Sequence, residues 1–241
     1  MFKGISKEQE QLWLSKFESI SLPSSASGNG EGKGVTTKPF STKNENVETS
    51  RNGTIGIPYI HEYVNTNDTD CAQAAITTLA CYHGKNIYPS IPRNIHDAHD
   101  NRYYADNYSL VEAVFHDFPN DGVFFGAKWT WKEQVANGLR GCGLNNVDIG
   151  YAGAGENGQE QWNTVFSWLS NGWPVVVLID INPIFNKWGY HYPVLYKFDG
   201  TYVYLSNMGV HYQVDFNTFV EAWHCSSAPY PNNFVYVVCS R

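Results

Sequence analysis

Apolar residues recur at helical spacing between Asp70 and Gly84. Cys71, Ala75, Leu79 and Tyr82 fall on one stripe, which predicts a helix with that stripe buried. Asp70 stands where an N-cap carboxylate would accept from the open N–H groups of the first turn. Gly84 stands where a left-handed residue would close the helix. The same periodicity predicts helices over residues 7–20 (Leu12, Trp13, Phe17 and Ile20 on one side), 109–118, 131–139 and 161–171. Ser109 with Glu112 three positions on reads as a capping box. Trp162, Val165, Phe166 and Leu169 share the face of the last of these helices, and Gly172 is its stop. The pattern then changes. Val175, Val176, Val177, Leu178 and Ile179 form an unbroken apolar run, the mark of a buried central strand. Residues 194–205 alternate around Asp199-Gly200 as a hairpin, and 234–239 form a last strand. Residues 55–63 read as a leading strand or extended arm, and 85–108 and 150–158 as loops. Helices come first and an antiparallel sheet follows, so the predicted class is α+β.

Between the first helix and residue 53 the pattern disappears. Residues 21–53 are rich in Ser, Gly, Lys, Asn and Glu and bury too little to offset their ordering entropy. They read as a linker, so residues 1–53 are expected to be a short helix plus flexible segment, serving as a pro-segment, docking helix or export signal. Residues 54–241 form the expected folded domain, ample for one core.

Composition narrows the function. Of 241 residues, 16 are Lys or Arg and 23 are Asp or Glu, a formal net charge of -7, which argues against general nucleic-acid binding. No apolar run approaches the roughly 20 residues of a membrane span. The N-terminus turns polar at once, unlike a signal peptide. The expected location is therefore cytoplasmic, or outside the cell by a route without a cleaved signal. The five cysteines, Cys71, Cys81, Cys142, Cys225 and Cys239, contain no CxxC pair, so neither a zinc site nor a disulfide framework is expected; a Cys225–Cys239 bridge stays open.

The candidate chemistry begins with Cys71. A thiol in the first turn of a helix feels the positive end of the dipole, which favours thiolate, the nucleophilic form. Downstream, the hairpin has two possible registers. A two-residue turn pairs Phe198 with Thr201 and sets His191 opposite Met208. A three-residue loop with Gly200 left-handed pairs Lys197 with Thr201 and sets His191 beside Asn207. The second gives each face a consistent character and is preferred. A Cys at a helix start, a His to exchange its proton and an amide to orient the imidazole are the parts of thiol acyl transfer.

In this order the chain resembles papain-like cysteine peptidases. It is most similar to the branch that includes the leader-peptide peptidase domains of bacteriocin exporters and their stand-alone relatives. The likeness rests on Ile57-Pro58-Tyr59-Ile60, then Asp70-Cys71-Ala72-Gln73-Ala74, then Gly172-Trp173-Pro174-Val175-Val176, then Gly189-Tyr190-His191-Tyr192-Pro193-Val194, and finally Phe219 to Trp223. It implies a papain-like fold, with an N-terminal helical half carrying the nucleophile helix packed on a C-terminal antiparallel sheet. It also implies a Cys71–His191–Asn207 triad acting on a peptide or protein, without cofactor or metal. The chain departs from the branch at Ala72, where Gly is usual, and at Ser206-Asn207, where Asp-Pro is usual. The oxyanion Gln is missing. Alignment by the arm puts Glu62 there, and spacing from Cys71 gives Asn65, whose amide can donate where an ionised carboxylate cannot.

Two other functions fit the same residues. Glutamine deamidases, transglutaminases and other acyltransferases, including bacterial effectors acting on host proteins, use such a triad, and a binding module could keep the fold without activity. Elsewhere, the His96-Asp97-Ala98-His99-Asp100 cluster reads as a solvated loop rather than a metal site. The glycines at 150–158 lack a phosphate-loop setting. Trp129, Trp131, Trp162 and Trp168 read as core, some with a place in a substrate groove.

Overall fold

The computed structural model describes residues 54–63, 70–88, 105–119, 122–124, 127–153, 156, 158–206, 211–225 and 233–240. The expected helix over 7–20 and the linker over 21–53 lie outside the described residues. The elements run β1 (Ile55–Gly56), α1 (Cys71–Tyr82), α2 (Ala105–Asp117), β2 (Gly122–Phe124), β3 (Ala127–Trp129), α3 (Lys132–Gly141), β4 (Asn146–Ala152), α4 (Gln159–Ser170), β5 (Val175–Val177) and β6 (Ile179–Asp180). They continue with α5 (Asn182–Phe185), β7 (Tyr190–His191), β8 (Val194–Phe198), β9 (Tyr202–Ser206), β10 (Tyr212–Asp215), α6 (Phe216–His224) and β11 (Asn233–Ser240).

The main sheet is antiparallel and ordered β10-β9-β8-β5-β11-β4, with β1 pairing β8 off that path. The valine run sits at its middle because both faces are covered. Val176 enters one apolar cluster, with Leu79 of α1, Leu110 of α2 and Leu139 of α3. Val175 and Val177 enter another, with Trp162 and Phe166 of α4 and Phe219 and Trp223 of α6. Strand β11 alternates in the same way: Val235, Val237 and Cys239 face the first cluster, Phe234, Tyr236 and Val238 the second. Side chains of successive strand residues point to opposite faces, so a strand covered on both must be apolar throughout. The class is α+β as expected, with a second layer of helices behind the sheet.

Helix α1 is more deeply placed than its stripe suggests. Every residue from Ala72 to Ala80 is buried. Small side chains make this possible: Ala72, Ala74, Ala75 and Ala80 let neighbours approach, and a Cβ on Gly138 of α3 would lie 2.5 Å from Cδ1 of Ile76. Gly84 ends the helix with φ +73, and Lys85 N–H reaches back to the carbonyl of Ala80 at 3.0 Å.

Some local expectations are corrected. Asp70 makes no side-chain cap; its φ of -107 and ψ of 19 lie outside the extended region from which a carboxylate swings over the first turn, and its carbonyl accepts from Ala74 N–H at 2.9 Å. Asp215, with ψ 138, does cap α6, accepting from the N–H groups of Asn217 and Thr218. Helix α2 starts at Ala105, so Ser109 lies inside it. Strand β4 runs through Gly150 to Ala152 where a loop was expected, and a Cβ on Gly150 would strike the Tyr236 ring at 2.0 Å. The continuous run divides into β5 and β6, in different sheets.

Neither expected hairpin register forms. Phe198 faces Val203, Lys197 faces Tyr204, Leu195 faces Leu205 and Val194 faces Ser206. The Asp199 carboxylate accepts from the N–H groups of Thr201 (3.0 Å) and Tyr202 (2.7 Å), which widens the turn beyond the Asp-Gly pair. A bulge between Leu195 and Lys197 then shifts the ladder by one residue. The bulge serves β1: the Tyr196 carbonyl accepts from Ile57 N–H at 3.0 Å, and Gly56, at φ +96, crosses so closely that a Cβ there would lie 2.2 Å from that oxygen.

Two glycine substitutions separate conformational strain from steric exclusion. Gly84→Ala meets open space and carries only the cost of a left-handed residue, about 1 kcal/mol. Gly56→Ala adds a clash with backbone, and its loss in urea unfolding is expected to be at least twice as large.

Candidate functional site

The candidate reactive group is the sulfur of Cys71, on the first residue of α1. Ala72 to Ala80 are enclosed, and α1 reaches partial exposure at its two ends, at Cys71 and at Cys81 and Tyr82. Burial pushes the thiol up from 9.0 to about 12. Against it act a backbone hydrogen bond from Tyr192 and those from Ala72 and Cys71 itself, while the neighbouring Asp70 charge pushes the thiol further up. The helix dipole was expected to favour thiolate; desolvation outweighs it here. The sulfur is therefore protonated unless a base is brought to it.

The hydrogen bond from Tyr192 places the other half of the site. After Val177 the chain leaves the main sheet and forms a small ladder, in which Ile179 pairs with His191 and Asp180 with Tyr190. Short helix α5 joins its strands, fastened by Asn182 N–H to the Asp180 carboxylate at 2.8 Å. The chain rejoins the sheet at Pro193, whose carbonyl accepts from Val177 N–H at 3.1 Å. This detour carries His191, 1% exposed, on the residue next to the one bonded to the Cys71 sulfur. The Tyr192 hydroxyl donates to the Thr130 carbonyl at 3.1 Å, fixing this strand to the approach to α3. The structure thus brings the Cys71 helix end and the His191 strand together. The ladder partner of His191 is Ile179 rather than a hairpin residue.

Asn207 and Asn65 lie outside the described residues, as do His96, Asp97, His99 and Asp100. Among the described residues no group of His, Cys, Asp and Glu could hold a metal ion. All five cysteines are thiols, so no Cys225–Cys239 bridge exists; Cys225 donates to the carbonyl of Leu178 at 3.3 Å. Trp162 is core, while Trp131 and Trp168 pack half-buried at its margin.

Glu62 is fully buried, its carboxylate 3.9 Å from Nε2 of His211. The other ring nitrogen of His211 lies 2.9 Å from the Tyr196 hydroxyl, and its ring stacks on Tyr59 at 4.5 Å. This cluster ties the arm ahead of Cys71 to the sheet. Burial, then the Glu62 charge, raise the Tyr196 phenol. No sequence signal marks the cluster, because its members are far apart in the chain and each is ordinary alone.

Comparisons with known proteins follow this geometry. No family model matches the chain, and no curated protein matches it. The fold is similar to a crystal structure from Bacillus anthracis provisionally described as a C39-like peptidase, with a TM-score of 0.51 and 11% sequence identity, over 78% of this chain and 98% of that one. At that identity the likeness concerns the fold. Among the described residues no helix is long and apolar enough to cross a membrane.

The buried thiols make stability depend on pH. Burial raises Cys71, Cys142 and Cys239 to about 12 and raises Cys225 as well. The unfolded chain ionises these groups from pH 9.0 upward while the folded chain keeps them protonated. Stability from a raised pKa is complete below the unfolded value and is lost as pH rises toward the folded one. The melting temperature is expected to be level between about pH 6 and 8, as far as these groups decide it, and to fall steadily above about pH 9.

Proposed function

We propose that the protein is a cysteine peptidase in which Cys71 is the nucleophile, His191 the general base and acid, and Asn207 the residue that orients the imidazole. The observation that carries this reading is the hydrogen bond from the backbone beside His191 to a sulfur at a helix start. The fold shared with a C39-like peptidase supports it. The order of sequence motifs supports a place near the leader-processing branch.

The electrostatics set the mechanism. Burial holds the Cys71 thiol well above its ordinary value, so at neutral pH the resting sulfur is kept as thiol. The proton therefore passes to the His191 imidazole as the sulfur attacks, and the imidazolium that forms is the counter-ion burial demands. The Cys71 sulfur bonds to the scissile carbonyl carbon, and the oxygen takes the negative charge. The backbone N–H of Cys71, with the Asn65 amide, would donate to that oxygen. The amine leaves with the proton from His191. Water, activated by the same imidazole, hydrolyses the thioester and restores the thiol. No metal or cofactor enters.

Cys71→Ala and His191→Ala are each expected to lower peptide hydrolysis by about 10⁴-fold, and the double variant by no more than either single one, because the two act as a unit. Iodoacetamide should label Cys71 faster than Cys81 near neutral pH, and His191→Ala should abolish the difference. Equal labelling in both proteins would defeat the assignment of His191. Mass spectrometry of a treated proteome separates the outcomes of acyl transfer: new N-termini mark a peptidase, and a gain of about one dalton on Gln marks a deamidase using the same thioester.

A further inference from the structure

The exits of three helices converge at the end of α1 away from Cys71. Just beyond α2, the Phe118 ring lies against α3 so closely that a Cβ on Gly141 would be 2.1 Å from its Cζ. Just beyond α3, a Cβ on Gly143 would be 3.9 Å from Cδ of Lys85, in the turn that leaves α1. The Tyr88 hydroxyl, on that same exit, donates to the carboxylate of Asp117, the last residue of α2. Two thiols stand in this junction. Cys81 is half-buried on the last turn of α1. Cys142, 8% exposed, is the C-terminal cap of α3, its N–H donating to the Gly138 carbonyl at 2.9 Å. Both pack in or against one apolar cluster, and neither is in a disulfide. Their nearness also shows in the electrostatics. Burial pushes the Cys142 thiol up to about 12, and negative charge on Cys81 and on Asp117 pushes it the same way. Cys142 acts in turn on the Tyr88 phenol.

Neither thiol has a part in acyl transfer at Cys71. A thiol that solvent reaches, beside one that it does not, suits exchange with a small disulfide: the first meets the reagent and the second resolves it. We propose that Cys81 and Cys142 form a reversible disulfide that clamps the exit of α1 to the exit of α3. The oxidant is a small disulfide such as oxidised glutathione. The Cys81 thiolate attacks one of its sulfurs, the S–S bond breaks, and one glutathione leaves and takes a proton from solvent. Cys142 then gives its proton to solvent and attacks the Cys81 sulfur, and the second glutathione leaves as thiol. The two protein thiols lose two electrons and two protons, and the small disulfide gains them. The buried thiol ionises with difficulty, so it reacts in the second step, where its partner is already held beside it. Helix α1 is the mount of Cys71, and the bond fixes that mount at its far end. A cross-link between residues so distant in the chain also restricts the unfolded state more than the folded one. The pair stands independently of the peptidase reading.

The test uses full-length Cys71→Ala protein, in which the sulfur of residue 71 cannot compete, reduced and then held with oxidised glutathione at about pH 8. After trapping with N-ethylmaleimide and digestion, mass spectrometry should find the peptides of Cys81 and Cys142 joined, about 2 Da below the sum of their reduced masses. Dithiothreitol should part them. Adding Cys142→Ala should leave one glutathione on Cys81. Adding Cys81→Ala instead should slow uptake of glutathione, now on Cys142, by about tenfold or more. The linked protein should unfold at a higher urea concentration than the reduced one, a difference that Cys142→Ala removes. Glutathione that stays on Cys81 while Cys142 is present, a link to Cys225 or Cys239 instead, or no reaction at either thiol overturns the pair. A link that forms as readily in unfolding urea overturns its origin in the fold. Equal urea midpoints for linked and reduced protein overturn the clamp.

Discussion

The enclosure of helix α1 from Ala72 to Ala80 is the constraint on which the molecule turns. A helix surrounded by a sheet and two other helices must be apolar or hydrogen-bonded on every side, as where Gln73 donates to the Phe118 carbonyl and Thr77 to the Gln73 carbonyl, and its neighbours can close on it only where side chains are small. Alanines on α1 and Gly138 on α3 meet that requirement. The helix is thereby fixed in position and rotation, and its first residue is delivered to one place. A reactive group anywhere from Ala72 to Ala80 would have been sealed in the core.

The same enclosure sets the electrostatics. A helix start favours negative charge, but that preference is modest and acts only where charge is already tolerable. At Cys71 the loss of hydration is larger, and the Asp70 charge adds to it. A sulfur held protonated in this way is inert toward casual chemistry, and becomes nucleophilic when a base adjoins it in a shared apolar setting. In the proposed mechanism burial is part of the catalytic arrangement, because it couples the charge on sulfur to the charge on imidazole.

The sheet contributes through its interruption. Had the apolar run continued as one strand, residues 178–192 would belong to the main ladder. The chain instead leaves at Leu178, forms the β6–α5–β7 unit and returns at Pro193. That excursion brings the Tyr192 backbone, and with it the strand that carries His191, to the start of α1. The bulge at Tyr196 plays a similar part for the arm, offering a carbonyl to Ile57 beside the Glu62–His211–Tyr196 cluster.

Local pattern alone determined the central helix with its Gly84 stop, the buried face of α4, the buried valine strand and the α+β order, because each follows from side-chain periodicity within a few residues. It also drew attention to Cys71 through its place at a helix start, whereas His191 was reached through a hairpin register that does not form. Tertiary structure decided the rest. The hairpin register depended on an Asp199 turn and a bulge whose purpose is to admit a strand more than a hundred residues earlier. Asp70 failed as a cap because the backbone entering α1 takes another conformation. The second helical layer and the raised thiol are consequences of what packs against what, and burial is a property of neighbours rather than of the residue that carries it.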